Sequence, residues 1–183
     1  MSVNPLRRML MLLFMLCLSA SYAQTYTIGA SINGGITDEG FGGMVTLDYK
    51  IGWFDFAQVG IQSYQAKKMA STGDEIDVDF TAANLGYFVD LIGNNNRKLA
   101  IYLGAGLVAG SERLNKGDEL LPSGAFLKEA KRFIYGGFVG ADLDVFIIPT
   151  VTLNFKAYQY YHVNSELGNF NPYAGAGIKL ILL

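Results

Sequence analysis

Histidine, cysteine, tryptophan and proline are scarce in this sequence, and so is charge. Its 183 residues include one His, one Cys, one Trp and 4 Pro, and only 16% of them are charged. A single histidine excludes a multi-histidine metal site. The formal net charge of −2 excludes a strongly basic nucleic-acid binder. Aromatic residues make up 13% of the chain, which is not the composition of a disordered protein.

Long apolar runs are also missing, except near the N-terminus. There Arg7 and Arg8 precede the unbroken apolar run Met9–Leu18, and the sole cysteine lies inside that run. The run is too short to cross a bilayer as a helix, which takes about 20 residues. A short positive region, an apolar region and small residues at a cleavage site are typical of a secretory signal peptide. We predict a signal peptide at residues 1–23 and one domain at residues 24–183, which then contains no cysteine.

After the signal, apolar and polar or small residues alternate along the chain. Leu99, Ile101 and Leu103, for example, alternate with Ala100 and Tyr102. The pattern recurs in eight segments, at 25–34, 41–50, 56–66, 76–89, 98–110, 133–147, 151–162 and 172–182. Long segments with one apolar face and one polar or small face are typical of membrane-spanning strands. The sequence therefore predicts an all-β fold, an eight-stranded antiparallel up-and-down transmembrane β-barrel.

The connections and the strand ends fit that architecture. Outer-membrane barrels have short turns at one end and longer loops at the other, and the longer, more polar connections here are 67–75, 111–132 and 163–171. Aromatic residues near strand ends are expected to form girdles at the two membrane interfaces. They are Tyr49, Trp53, Phe54, Phe56, Phe133, Tyr158, Tyr160, Tyr161 and Tyr173. The C-terminal run 177–182 also has the form of a last-strand assembly signal, without the usual terminal aromatic residue.

The interior of an eight-stranded barrel is just wide enough for side chains to fill. The alternation points Asp142 and Lys156 inward, and a hairpin centred near Pro149 places them opposite each other. A charge removed from water needs a partner, so we predict a contact between Asp142 and Lys156, with Asp144 and Lys179 nearby. A packed, neutralised lumen is the simpler interpretation of these charges, and an ion path or gate is the alternative.

The sequence offers little that could support catalysis. His162 is followed two residues later by Asn164, whereas lipid A deacylases carry a serine at that position. We interpret His162 as a rim residue facing water. Asp77 and Asp79 lack the glycine and the spacing of a calcium loop, and we interpret them as inward-facing residues at the outer end of a strand. We expect no catalytic residue, no cofactor and no metal ion.

The longest connection, residues 111–132, mixes charged and apolar residues. An insertion of this length is often functional, so it is a candidate surface for docking a partner protein, and a mobile surface loop is the alternative. The residues expected to take part in docking are Arg113, Lys116, Leu120, Leu121, Phe126 and Leu127.

Four stretches of the sequence carry a family resemblance. Residues 115–124, Asn-Lys-Gly-Asp-Glu-Leu-Leu-Pro-Ser-Gly, are the most telling, and residues 99–106, 133–137 and 173–179 fit as well. Together they resemble the TraO proteins of conjugative transposons over roughly residues 45–183. The resemblance implies a component of a DNA-transfer apparatus at the donor envelope. It brings no catalytic residues with it.

The functional expectation combines the exported barrel with that resemblance. We expect a non-enzymatic outer-membrane barrel, in contact with outer-membrane lipid and with other conjugative-transfer proteins, that acts as an accessory or anchoring component. Direct nucleic-acid binding is not expected, because the chain is acidic and offers no basic track for phosphates. The alternatives are a general small barrel of the OmpX type for envelope stability or adhesion, and a lipid A deacylase-like enzyme or small-ligand-binding barrel.

Overall fold

The structure, a computed structural model, describes residues 28–38, 40–51, 55–69, 73, 75–92, 98–120, 124, 126 and 129–182. The predicted signal peptide at 1–23 lies outside the described residues. The division of the chain into 1–23 and 24–183 therefore stays a prediction. Within the described ranges, no helix is long and apolar enough to cross a membrane.

Eight antiparallel strands close into one barrel. The strands are β1 Ile28–Thr37, β2 Gly40–Lys50, β3 Asp55–Met69, β4 Glu75–Asp90, β5 Leu99–Leu114, β6 Lys131–Ile148, β7 Val151–Val163 and β8 Phe170–Leu182. Each strand pairs with its neighbours in sequence, and β1 pairs with β8 to complete the ring. This confirms the predicted eight-stranded up-and-down barrel. We call the end that carries connections 38–39, 70–74, 115–130 and 164–169 the loop end, and the opposite end the turn end.

Several strands reach further at the loop end than the sequence pattern predicted. β5 continues to Leu114 and β6 begins at Lys131, so the predicted connection 111–132 shortens to 115–130. A 3₁₀ turn at Asn115–Gly117 follows β5 directly. The charged residues at these strand tips resembled loop residues in the sequence, although they continue the alternation of the strands.

The two faces of the wall differ as expected for a membrane barrel. Ile32, Val45, Ile61 and Leu107 point outward, and Leu107 is 69% exposed. Polar side chains such as Asn33 and Gln58 point inward and are almost fully buried. The outward aliphatic side chains form a hydrophobic belt around the barrel, and the lumen holds polar side chains together with a cluster of buried apolar ones.

The aromatic residues predicted to form girdles divide between the two faces. Tyr49, Phe133 and Tyr161 are exposed on the outside. The remaining described residues of that set point into the lumen and are at most 4% exposed, so their assignment to a girdle was wrong: Phe56, Tyr158, Tyr160 and Tyr173. The alternation of each strand decides the face, whereas nearness to a strand end does not. Trp53 and Phe54 lie outside the described residues.

The prediction for the acidic end of β4 was also wrong about direction. Ile76 and Val78 are buried inside the barrel, and Asp77 and Asp79 lie between them on the outer face. The apolar side chains fill the lumen near the loop end. The two carboxylates therefore lie on the outer surface of the barrel.

Candidate functional site: the filled lumen and the loop end

The lumen contains a cluster of buried charges, which we call the lumenal charge network: Asp48, Asp142, Asp144, Lys156 and Lys179. The pairing of β6 with β7 places Asp142 opposite Lys156. The Nζ atom of Lys156 lies 2.5 Å from Oδ2 of Asp142, and both side chains are fully buried. Two opposite charges held this close, away from water, form an ion pair inside the barrel.

A second ion-pair centre lies one layer nearer the turn end. Lys179 Nζ on β8 lies 2.8 Å from Oδ2 of Asp48 on β2 and 2.8 Å from Oδ2 of Asp144 on β6. Asp144 also accepts a hydrogen bond of 2.6 Å from the Asn154 side chain. The sequence pattern placed Asp144 and Lys179 near the Asp142–Lys156 contact, but Asp48 was missed, although the alternation of β2 puts Asp48 on the inward face.

Uncharged side chains connect the two centres. The Gln58 amide nitrogen donates to Asp48 at 2.8 Å and to Asp142 at 3.3 Å. The Tyr158 hydroxyl lies 2.7 Å from Oδ1 of Asp142 and 2.8 Å from the Gln58 carbonyl oxygen. The network thus holds three carboxylates and two ammonium groups, which leaves one carboxylate charge in excess.

Aromatic rings fill the lumen on both sides of the network. Toward the turn end, Phe56 stacks on Phe88 with ring centroids 5.1 Å apart. Toward the loop end, Tyr64 stacks on Phe80 at 4.2 Å. Glycine makes room for this packing, because a side chain at Gly140 would overlap the ring of Tyr158. Charged and aromatic layers together obstruct a continuous passage through the described part of the barrel.

His162 is buried in the lumen, and the prediction of a rim histidine facing water was wrong. It has no exposed surface and packs against Phe80 and Tyr160, with ring centroids 5.0 and 5.4 Å away. Its Nδ1 atom lies 3.1 Å from the side-chain nitrogen of Asn171. The inward alternation of β7 continues from Lys156 to His162, so the end of the strand keeps the imidazole inside.

No metal centre is apparent in the part of the chain that the structure describes. No group of three or more His, Cys, Asp or Glu side chains there is arranged to hold a metal ion. The lumenal carboxylates are instead occupied by ammonium, amide and hydroxyl groups.

The connection between β7 and β8 lies across the mouth at the loop end. Its Glu166 backbone nitrogen donates to both carboxylate oxygens of the buried Glu112, at 3.1 and 3.2 Å. The Glu166 carboxylate lies 3.0 Å from an Arg132 nitrogen and 3.7 Å from the Lys68 nitrogen. Leu167 packs on the aromatic core below. Contacts from β3, β5 and β6 therefore hold this connection over the lumen.

The residues predicted to dock a partner do not form one loop. Arg113 belongs to β5 and points outward, which corrects its assignment to the connection. Lys116 lies in the 3₁₀ turn, with Nζ 3.7 Å from the Asp77 carboxylate. Leu120 and Phe126 pair across a short bridge and are 54% and 78% exposed. Leu121 and Leu127 lie outside the described residues.

Comparison with known proteins gives a family and a fold. The model of the family described as conjugative transposon protein TraO matches residues 25–182. No curated protein gives a significant match.

Similar solved structures include three small barrels. A major outer membrane protein from Thermus thermophilus has a TM-score of 0.62 at 12% identity, covering 87% of this chain and 100% of that one. The N-terminal β-barrel domain of Pseudomonas aeruginosa OprF has a TM-score of 0.58 at 11% identity, covering 85% and 97%. Neisserial surface protein A has a TM-score of 0.57 at 15% identity, covering 85% and 96%. At these identities the likeness concerns the fold.

Proposed function

Because this chain belongs to the family of conjugative transposon protein TraO, we propose that it is an accessory or anchoring component of a conjugative DNA-transfer apparatus in the outer membrane. In this role it has no catalytic step and no cofactor. It acts by holding other transfer proteins at the envelope.

The filled lumen is the observation that carries the accessory role. The Asp142–Lys156 pair and the rings around it occupy the interior. A DNA strand has no space there, and the excess carboxylate of the network would repel its phosphates. Contact with the transfer apparatus must therefore use the exterior of the barrel.

The apolar belt supports placement in the outer membrane, with membrane lipid as the direct partner of the wall. The core of a bilayer offers no water to form hydrogen bonds with backbone groups. A sheet can therefore span it only as a closed barrel, in which every strand is paired on both sides. In such barrels the longer loops face outward from the cell and the short turns face the periplasm. We accordingly place the loop end outside and the turn end in the periplasm.

The bridge between Leu120 and Phe126 is the best-defined candidate for contact with another protein. Both side chains are exposed above the ends of β5 and β6, and exposed aromatic residues are enriched in protein interfaces. We assign the docking role to this pair, with other transfer proteins as partners.

A general barrel for envelope stability or adhesion is the second candidate. It is favoured by the similarity to three small outer-membrane barrels. The match covers 96–100% of the length of each of them. Such a barrel would be dispensable for DNA transfer, which separates the two candidates.

Transfer frequency in a deletion strain tests the proposal. Deletion should lower conjugation frequency, and expression of the intact chain should restore it. Unchanged transfer after deletion would contradict the accessory role. The general barrel for envelope stability or adhesion would then be the remaining candidate.

Complementation with matched variants tests the docking pair. Leu120→Ser with Phe126→Ser should restore outer-membrane insertion but not transfer. The control pair Leu91→Ser with Ile92→Ser, exposed at the turn end, should restore both. Insertion is measured by the mobility shift that folded barrels show on unheated gels. Full transfer with the first pair would contradict the docking role.

A further inference from the structure

Two cations lie directly opposite each other on the outer face at the loop end. Arg113 on β5 pairs in register with Lys131 on β6, and both side chains point outward. Gly117 in the 3₁₀ turn packs against both, since a Cβ atom there would lie 2.9 Å from Lys131 Cε and 3.6 Å from Arg113 Cδ. With Lys116 from the same turn they form what we call the loop-end basic cluster: Arg113, Lys116 and Lys131.

Within this cluster, the fold leaves Arg113 and Lys131 facing each other without an ion pair. Like charges directly opposite on neighbouring strands are destabilising. Among the described residues, the structure records no ion pair for Arg113 or Lys131. An external anion would remove that repulsion.

The neighbouring carboxylates lie on the β4 side and have contacts of their own. Asp77 is 3.7 Å from Lys116. Asp79 lies opposite Arg113 across β4 and β5, and accepts a hydrogen bond of 3.3 Å from Gln65. Lys67 on β3 is paired with Glu75. These carboxylates therefore offset part of the positive charge from the β4 side, and the charge of Lys131, on the β5–β6 side, has no ion pair among the described residues.

The cluster lies where the aromatic surface of the wall ends. Phe133 and Tyr135 follow Lys131 on the same outward face of β6, and their rings stack at 6.2 Å. Two residues along a strand correspond to about 7 Å, so the cluster lies one side-chain layer beyond the ring of Phe133. Aromatic residues mark the interface between hydrocarbon and headgroups. The cations are therefore at headgroup height on the outward side of the barrel.

A cleft of about 630 Å³ borders the cluster on its β4 side, and its lining includes Arg113 but also the carboxylates Asp77 and Asp79. Carboxylates at this distance repel a phosphate. The phosphate contact is therefore assigned to the β5–β6 side, where Arg113 faces Lys131.

We propose that the loop-end basic cluster binds the phosphate group of a phosphorylated lipid in the outer leaflet. Arg113 and Lys131 contact the phosphate oxygens, with Arg113 able to donate two parallel hydrogen bonds, and Phe133 lies against the acyl chains. The inference rests on the outer-membrane placement in the proposed function and is independent of the role in DNA transfer.

Native mass spectrometry of the full chain, purified in detergent and titrated with phosphorylated lipid A, tests this inference. The intact protein should retain the lipid, and Arg113→Gln with Lys131→Gln should weaken binding about 30-fold, at about 1 kcal/mol for each cation near a membrane surface. The control pair Lys50→Gln with Lys98→Gln, at the turn end, makes the same change in net charge and should bind as the intact protein does. Equal binding by the two double variants overturns the proposal.

The lipid and its phosphate are varied separately. Dephosphorylated lipid A should bind the intact protein as weakly as phosphorylated lipid A binds the Arg113 and Lys131 double variant. Equal affinity for both lipids overturns the phosphate contact. Displacement of the lipid by millimolar inorganic phosphate would assign the site to free phosphate and overturn the lipid claim. If the double variant does not fold, Lys116→Gln is tested in its place, because Lys116 lies in a turn outside the strands. This variant should weaken lipid binding about 5-fold.

Discussion

Replacement of Lys156 by Met should destabilise the barrel more than replacement of its partner Asp142 by Ala. Lys156→Met leaves three buried carboxylates with the single ammonium of Lys179, whereas Asp142→Ala leaves two of each. Removing one partner of a buried ion pair typically costs about 3–5 kcal/mol. We expect Lys156→Met at the upper end of that range and Asp142→Ala at the lower end. After Asp142→Ala, the Tyr158 hydroxyl and the Gln58 amide keep each other as partners.

Urea titration of the folded protein in lipid vesicles measures these differences, with the fraction of fast-migrating barrel on unheated gels as the readout. Asp118→Ala is the control, because Asp118 is exposed beyond the 3₁₀ turn and its side chain has no recorded ion pair with the described residues. It should change the free energy of unfolding by less than about 0.5 kcal/mol.

The double variant Asp142→Ala with Lys156→Met completes the cycle. Since it removes both charges of the pair, its cost should be smaller than the sum of the two single costs by at least about 1 kcal/mol. If Asp142→Ala is as stable as Asp118→Ala, or if the double variant shows additive losses, the Asp142–Lys156 pair does not support the barrel.

Two further predictions concern the wall and the mouth. Leu107→Arg, on the outer face in the middle of β5, should lower the free energy of unfolding in vesicles by about 2–4 kcal/mol, whereas Ser111→Arg near the loop end should cost about 1 kcal/mol or less; equal costs would contradict the proposed position of the bilayer. Glu166→Ala removes the side-chain contacts with Arg132 and Lys68 and should speed protease cleavage within residues 164–169 while the barrel stays folded; an unchanged cleavage rate would show that the backbone contacts of Glu166 with Glu112 and Lys68 hold the connection.

The pairing of neighbouring strands was within reach of the sequence because it is local. The alternation gave the inward faces of β6 and β7, and the short turn near Pro149 set their register, in which Asp142 faces Lys156. Asp48 was missed for a different reason. It meets Lys179 only because β1 pairs with β8 and brings β2 near the end of the chain. No local pattern encodes a contact created by ring closure.

The errors at the strand ends have a similar cause. Glu112 and Arg132 resemble loop residues, yet Glu112 is buried where the Glu166 backbone nitrogen satisfies its carboxylate. His162 resembled a rim residue because Asn171, whose side chain contacts the imidazole, is on the next strand. In each case a residue on another strand or connection supplies the partner of the buried polar side chain, so composition near a strand end was a poor guide to exposure.

The distribution of satisfied and unsatisfied charge indicates where this barrel meets its surroundings. Inside, each ammonium group of the lumenal charge network contacts at least one carboxylate within 2.8 Å, so both buried cations are neutralised within the fold. At the loop end, Arg113 and Lys131 face each other without an ion pair among the described residues, and Leu120 and Phe126 are exposed. The two features differ in chemistry and height: cations beside the aromatic belt suit a lipid phosphate, and an apolar tip beyond them suits a protein. If the cluster anchors lipid and the tip docks a partner, loss of the cluster should leave partner binding intact, and loss of the tip should leave lipid binding intact.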